Sequence, residues 1–384
     1  MMNTRFLLIF TILLLACHIA VAKAEGWIAA PPREVTFPPK RSLGTLFVRR
    51  WGALDPTDIS WDERFNFAHW KKLGEARGRV RVPAEQELAL VISEAGRQDR
   101  SALAALRPND LQSLHLSARV TDADLAHIQH LTGLRQLIIG NSPDLGDAGL
   151  AHLQDLASLE LLVIWGCRQV DTGLGHLKGL TALSELALGG MGLSNRAMDD
   201  LSQFPSLKRL HLLYDDAGDA GIASLGSLRS LDYLGLVGID VTEAGIAGLK
   251  DLSLKGLSLE GCQKVDDKAL AHLTEMKTLL QLEIPGTAVT DAGITSMLDS
   301  LDKDKIEILW IGGTKATNRI LEQIAGMPEL RELDLAALPI TDNALRTLQS
   351  LPRLRLLHLM GTKITDQGVP FLAKLKSLRK LDGT

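Results

Sequence analysis

The stretches "LRELDL" at residues 330–335 and "ITDNALRTL" at residues 340–348 together decide the fold. The first alternates apolar and variable residues, as a short strand with one buried face does. The second places Ile340, Leu345 and Leu348 on one side of a helix, as a single buried helical stripe requires. The segment therefore predicts one unit made of a strand, a turn and a helix.

This unit recurs along most of the chain. The pattern L-x-x-L-x-L, with Ile allowed for Leu, begins at Leu111, Leu134, Leu159, Leu183, Leu207, Leu231, Leu254, Leu279, Ile306, Leu330 and Leu354, and a fragment begins at Leu378. The turn recurs too, because "GTAVTDAGITSM" (286–297) and "GTKITDQGVPFL" (361–372) are near copies. Their Thr-Asp pair can cap a helix, and the Gly that follows allows close packing or a sharp turn. One unit cannot bury its apolar side alone, so the repeats predict a stacked solenoid.

The stacking predicts a curved α/β architecture. Parallel strands lie about 4.8 Å apart whereas packed helices need about 8 to 10 Å, so the stack bends toward the strands. We therefore expect a horseshoe with a parallel sheet on its concave face and helices on its convex face.

The repeats resemble leucine-rich repeats. The segments "WGCRQVDTGL" (165–174) and "EGCQKVDDKAL" (260–270) are similar to the cysteine-containing subclass, and the G-T-x-[VI]-T-D segments are similar to repeats of secreted bacterial proteins. The resemblance covers about 110–384 and implies a right-handed leucine-rich-repeat solenoid of about eleven repeats. It also implies a binding surface, which unrelated proteins build on this fold. The subclass is familiar in ubiquitin-ligase adaptors, but no F-box-like segment precedes residue 110, so we do not carry that role over.

The segments before the repeats have other compositions. Residues 1–24 carry a basic start, an apolar run and the sequence Ala22-Lys23-Ala24, which predicts a signal peptide cleaved after Ala24. An alternative is a lipid anchor at Cys17. Residues 25–40 read as a proline-rich lead-in, 41–105 as a small β-rich N-terminal cap crowded with Trp, and 106–384 as the solenoid. No second apolar run is long enough to span a bilayer.

Composition and motifs exclude several functions. The net charge is −4, without the basic footprint of a nucleic-acid-binding protein. The sequence has no phosphate loop, G-x-S-x-G elbow or H-E-x-x-H motif, so we predict no catalytic residue, no cofactor and no enzyme activity. The recurring helix-half histidines His127, His152, His176 and His272 and the acidic loop "DDAGDAG" (215–221) lack the spacing of a metal site. Cys167 and Cys262 lie four repeats apart, too far for a disulfide, and are expected to be buried free thiols.

Positions 3, 5 and 7 of L1-x2-x3-L4-x5-L6-x7 point away from the core and are free to serve binding. Exposed apolar patches rimmed by polar groups mark interaction surfaces. The predicted partner-binding residues are Ile138, Leu161, Val163, Trp165, Arg209, His211, Leu213, Tyr233, Val237 and Trp310. Four acids, Glu260, Glu283, Glu332 and Asp334, add an acidic second half. The alternative interpretation is that Trp165 and Trp310 simply fold over neighbouring strands.

These observations predict a secreted, periplasmic or envelope-bound binding module that recognises a protein through its concave face. A carbohydrate is the alternative ligand. A structural spacer or cell-surface scaffold is the alternative function.

Overall fold

The computed structural model describes residues 31–50, 70–117, 119–167, 170–204 and 206–382. The expected signal peptide, Cys17 and most of the tryptophan cluster before the repeats lie outside these residues. The chain divides into two compact units, residues 1–187 and 188–384. Each unit is described by itself below.

Strands precede the repeats in the first unit, as the sequence predicts. They are β1 (Arg33–Thr36), β2 (Gly44–Arg50), β3 (Lys71–Glu75), β4 (Arg79–Val82) and β5 (Gln86–Ile92). The proline-rich lead-in contributes β1, which pairs antiparallel with β4. β2 pairs antiparallel with both β3 and β5. β5 then runs parallel to the first repeat strand, so the β-rich segment continues directly into the repeat sheet.

Each repeat contributes one short strand. In the first unit these are β6 (Ser113–Ser117), β7 (Gln136–Gly140), β8 (Leu161–Trp165) and β9 (Glu185–Gly189), whose last two residues belong to the second unit. In the second unit they are β10 (Arg209–Leu213), β11 (Tyr233–Val237), β12 (Gly256–Ser258), β13 (Gln281–Glu283), β14 (Ile308–Trp310), β15 (Glu332–Asp334), β16 (Leu356–His358) and β17 (Lys380–Asp382). Neighbouring strands are parallel, and the register places equal repeat positions opposite each other, as in Arg209 opposite Tyr233.

The helical half of each repeat is shorter than a regular helix and often 3₁₀. The α-helices are α1 (Glu94–Arg97), α2 (Asp122–Ala126), α3 (Asp147–Leu150), α4 (Asn195–Leu201), α5 (Asp219–Ser224), α6 (Glu243–Ala247), α7 (Asp267–Ala271), α8 (Asp291–Ser300), α9 (Ile320–Ile324) and α10 (Val369–Leu372). The 3₁₀ segments are Arg100–Ala105, Ala151–Leu153, Gly173–Gly179, Leu225–Ser227, Lys303–Lys305, Asp342–Ser350 and Asp366–Gly368. The deciding stretch 340–348 is thus 3₁₀ from Asp342 onward, although its Leu345 and Leu348 are buried as expected. Among the residues that the structure describes, the longest helix is α8, which lies in the longest spacing between repeats, from Leu279 to Ile306.

The Thr-Asp joint performs two separate tasks. The Thr side chain caps its own helix, as Thr290 does by accepting from the Ala292 N–H at 3.2 Å. The Asp reaches the next repeat instead: Asp267, which follows Asp266 where other repeats have Thr, accepts from the Thr290 backbone N–H at 2.8 Å and from its hydroxyl at 2.6 Å. The Gly that follows packs tightly, because a Cβ on Gly293 would lie 2.2 Å from Asp267. The recurring T-D-x-G text therefore encodes the contact between successive repeats.

A second glycine of the repeat fixes the turn that leaves the strand. Gly286 and Gly361, which open the G-T-x-[VI]-T-D segments, have φ of 70° and 72°. L-residues rarely adopt this left-handed region, which glycine enters without steric cost. Where the repeat has another residue at this place, the same backbone persists, as at Tyr214 with φ of 54°.

Candidate functional site

The strand face is the side of the sheet that carries repeat positions 3, 5 and 7. Side chains alternate between the two sides of a strand, so these positions lie opposite the leucines of the core. Leu210 and Leu212, for example, are fully buried on the core side of β10. Because the register repeats, side chains at one position form a row across neighbouring strands.

In the first unit the strand face carries an apolar cluster. Leu161, Val163 and Ala187 pack together, with Ile138 and Trp165 against them. The Trp165 indole lies over the neighbouring strand, since a Cβ on Gly140 would lie 2.5 Å from its ring. The structure thus brings together the four predicted residues of this unit. The sequence pattern does not predict that the small neighbour Gly140 makes room for the ring.

Exposure of this cluster differs from the expectation of a patch open to water. Leu161 is 5% exposed and Val163 is 6% exposed, whereas Ile138 and Trp165 are half-buried. Strands about 4.8 Å apart bring side chains of one row into contact, so each covers its neighbours. In the structure, Trp165 folds over the adjacent strand, as the alternative interpretation of the sequence expects.

In the second unit the next predicted residues form an aromatic and basic cluster. The Arg209 guanidinium carbon lies 4.8 Å from the centre of the Tyr233 ring, and the His211 ring centre lies 4.7 Å from it. Leu213 and Val237 flank these groups on the same two strands, and all five side chains are buried. Such cation–π and ring contacts hold polar side chains in fixed positions on the strand face.

Trp310 lies further along the strand face of this unit, between acidic neighbours. Its register partners are Glu283 on β13 and Asp334 on β15. The side chain is 4% exposed, and its ring meets the His358 ring edge-on at 6.2 Å between centres. The indole N–H has no hydrogen-bond partner among the described residues. A buried donor without a partner costs about 1 to 3 kcal/mol, so it requires an explanation.

The four acids around Trp310 have raised pKa values. Burial, with the charge of Asp334, raises the pKa of Glu260 to about 7. Burial raises the pKa of Glu332 to about 7 despite nearby basic side chains. It also raises the pKa of Asp334, and it raises that of Glu283 well above its ordinary value although Gln281 donates a hydrogen bond to this carboxylate. The strand face here therefore holds acids that are costly to ionise. Side chains with strongly shifted pKa values cluster at functional sites.

The other candidates from the sequence have local structural partners. Cys167 and Cys262 are buried free thiols, as predicted, and burial raises the pKa of each to about 12. Cys262 Sγ donates to the Leu236 carbonyl at 3.4 Å. His152 and His272 lie near Gln129 and Glu243, with 3.1 Å between nitrogen and oxygen in each pair.

The acidic loop 215–221 is likewise divided between different partners. Asp215 accepts from the Met191 backbone N–H at 2.8 Å, whereas Asp219 accepts from Thr242 in the following repeat. In the part of the chain that the structure describes, no group of three or more His, Cys, Asp or Glu side chains is placed to hold a metal ion. Within those same residues, no helix is long and apolar enough to cross a membrane.

The fold is similar to solved leucine-rich-repeat structures. An internalin from Listeria monocytogenes matches with a TM-score of 0.51 and 21% identity, over 77% of this chain and 86% of the internalin. The mouse RP105/MD-1 complex matches with a TM-score of 0.48 and 18% identity, over 71% of this chain and 46% of that one. No protein-family model and no curated protein matches the chain. The likeness to the internalin shows the leucine-rich-repeat fold.

Proposed function

We propose that this leucine-rich-repeat solenoid is a non-enzymatic binding module that recognises a protein partner through its strand face. The proposed contact residues are Ile138, Leu161, Val163 and Trp165 in the first unit, and Arg209, His211, Leu213, Tyr233, Val237 and Trp310 in the second. We add to the residues of the second unit the four acids around Trp310, which are Glu260, Glu283, Glu332 and Asp334.

The observation that carries the proposal is that the strand face around Trp310 holds buried polar groups that lower the stability of the folded protein. Folding needs the leucines of the other side, and an apolar residue in place of Glu283 would fill the row without desolvating a carboxylate. The face instead holds Glu260, Glu283, Glu332 and Asp334 with raised pKa values, next to an indole N–H that has no described partner. Polar groups that cost stability and leave bonding capacity unused are suited to a ligand.

The chemistry of these groups indicates what the partner presents. Carboxylates bind Lys or Arg side chains most strongly, because these form charge-assisted hydrogen bonds with them. Arg, Tyr and Trp are the side chains that most often anchor protein interfaces. A protein surface with basic side chains therefore fits the second unit, whereas a surface with apolar side chains fits the cluster of the first.

Secretion and the lack of enzyme activity complete the proposal and rest on the sequence. The apolar run before Ala24 supports export to the periplasm or the cell exterior, and Cys17 supports lipid anchorage as the alternative. The missing nucleophile and phosphate-binding motifs support a binding role without catalysis.

Site-specific photo-crosslinking tests the proposal. A photo-reactive amino acid replaces Trp165 on the strand face in one variant and Lys178 on the helical side in the control, both made in the natural host. We expect a defined protein adduct at position 165 and none at 178, identified by mass spectrometry. Equal adducts at both positions, or none at 165 in a folded protein, would refute strand-face recognition.

A further inference from the structure

A row of side chains at repeat position 2 crosses the second unit beside the strand face. Successive members are joined by backbone hydrogen bonds, as from the Arg355 N–H to the Arg331 carbonyl at 2.7 Å and from the Arg379 N–H to the Arg355 carbonyl at 2.8 Å. Members of this row are therefore direct neighbours on parallel strands, about 4.8 Å apart along the sheet.

Elsewhere in this row, Lys255 and Arg135 each pair with an acidic neighbour in the same row. Lys255 Nζ lies 3.0 Å from Asp232 Oδ1, and in the first unit Arg135 Nη2 lies 2.6 Å from Glu160 Oε1. Opposite charges on adjacent strands stabilise a sheet, whereas like charges directly opposite destabilise it. These two pairs show how an acidic neighbour can neutralise a cation at position 2.

The last two members, Arg355 and Arg379, break this rule. Arg331, Arg355 and Arg379 follow each other at equal spacing, and each directly precedes one of three successive strands. Arg331 Nη1 is paired with Glu307 Oε2 at 3.1 Å. Among the described residues, no carboxylate forms an ion pair with Arg355 or Arg379, and both side chains are exposed. Two adjacent like charges without an acidic partner give no advantage to folding.

These arginines line a cavity of about 340 Å³. Arg353 and Lys376 also line it, which brings five basic side chains to one hollow. Arg331 pairs with Glu307 and Arg353 pairs with Glu329. Among the described residues, the other three basic side chains form no ion pair with an acid. The volume falls at the lower end of the range for small-ligand sites. The chain as a whole carries a net charge of −4, so the positive charge around this cavity is a local feature and not a property of the whole chain.

We propose that this cavity binds a phosphate-bearing anion, held by Arg355 and Arg379 with Arg331, Arg353 and Lys376 around it. Guanidinium groups present a planar fork of donors that matches two oxygens of a phosphate, and neighbouring forks suit adjoining phosphate groups such as those of a diphosphate. The anion supplies the negative charge that acidic neighbours supply elsewhere in the row. This site is separate from the strand face and does not depend on the proposed protein partner.

Calorimetric titration of the full chain with inorganic pyrophosphate at low ionic strength tests the site. We expect saturable binding that weakens as salt rises, because salt screens contacts between exposed charges. The variant Arg355→Gln/Arg379→Gln should bind at least about 10-fold more weakly, as loss of charge-assisted hydrogen bonds requires. The control Arg229→Gln/Lys250→Gln removes the same charge from other exposed positions and should change affinity less than about 2-fold.

Two further measurements separate the sources of the phosphate. Co-sedimentation with phosphatidylcholine vesicles containing phosphatidic acid, with and without competing pyrophosphate, would identify a lipid headgroup if it depends on Arg355 and Arg379. Binding of pyrophosphate without vesicle binding would identify a soluble ligand. Circular dichroism confirms that both double variants are folded. No saturable binding to either probe, or equal weakening in the two double variants, would overturn the proposal.

Discussion

Replacement of Glu260 by Gln removes a charge that the strand face accommodates poorly. Burial and Asp334 raise the pKa of Glu260 from 4.5 to about 7. A raised pKa means that the folded state holds the proton more tightly than the unfolded state. The stabilisation is therefore complete below the unfolded pKa and is lost as the pH rises through the folded pKa. Each pKa unit corresponds to about 1.36 kcal/mol, so a shift from 4.5 to about 7 corresponds to about 3 kcal/mol.

The wild-type chain should therefore lose stability between about pH 5 and pH 8, and Glu260→Gln should remove up to about 3 kcal/mol of that loss. Gln has almost the same shape and carries no charge, so the variant should be more stable than wild type at the alkaline end. Urea unfolding followed by circular dichroism at both pH values measures the difference. The control Glu275→Gln changes an exposed acid on the helical side and should alter stability equally at both pH values. If Glu260→Gln were no more stable than wild type at the alkaline end, the assignment of a desolvated carboxylate would be wrong.

Three further changes test the packing of the repeats. Asp267→Ala removes two hydrogen bonds to Thr290 and should lower the free energy of unfolding by about 2 kcal/mol; an unchanged urea midpoint would contradict the role of Asp267 in joining repeats. Gly140→Ala places a Cβ against the Trp165 ring and should cost about 1 to 3 kcal/mol with a change in tryptophan emission, whereas Gly179→Ala, with nothing within 4 Å, should have neither effect. Equal effects of the two glycine variants would refute the position of the indole. Cys167 and Cys262, with pKa values raised to about 12, should resist iodoacetamide in the native protein and react after unfolding, as peptide mass spectrometry would show; rapid native labelling would contradict their burial.

The sequence predicts the fold well because the repeat signal is redundant. The spacing of the leucines sets one strand and one turn for each unit, and many copies of the same signal outweigh any single irregular copy. The alternation of "LRELDL" correctly places Leu333 and Leu335 in the core. Helix type was less predictable: 3₁₀ and α conformations bury the same stripe, and the segment Asp342–Ser350 takes the 3₁₀ form.

The sequence predicts which residues lie on the strand face, but it does not predict how exposed they are. Pattern reasoning assigns Val163 and Tyr233 to the correct side, yet it treats each strand separately. Burial of these residues depends on which side chains stand beside them in the row, such as Gly256, which makes room for the Tyr233 ring. The repeat pattern does not single out the position-2 arginines for a related reason: it marks only positions 3, 5 and 7 as pointing away from the core. The equal spacing of Arg331, Arg355 and Arg379 was the available signal.

The affinity of the crosslinked partner for strand-face variants tests the central claim most directly. Glu260→Gln/Glu332→Gln removes two acids from the strand face, and Glu275→Gln/Glu322→Gln removes two from the helical side as a matched control. Calorimetry at about pH 8.5, where acids with a pKa of about 7 are ionised, compares both with wild type. The account predicts at least about 10-fold weaker binding for the strand-face pair and less than about 2-fold for the control. Equal affinity of the two double variants would contradict recognition through the strand face.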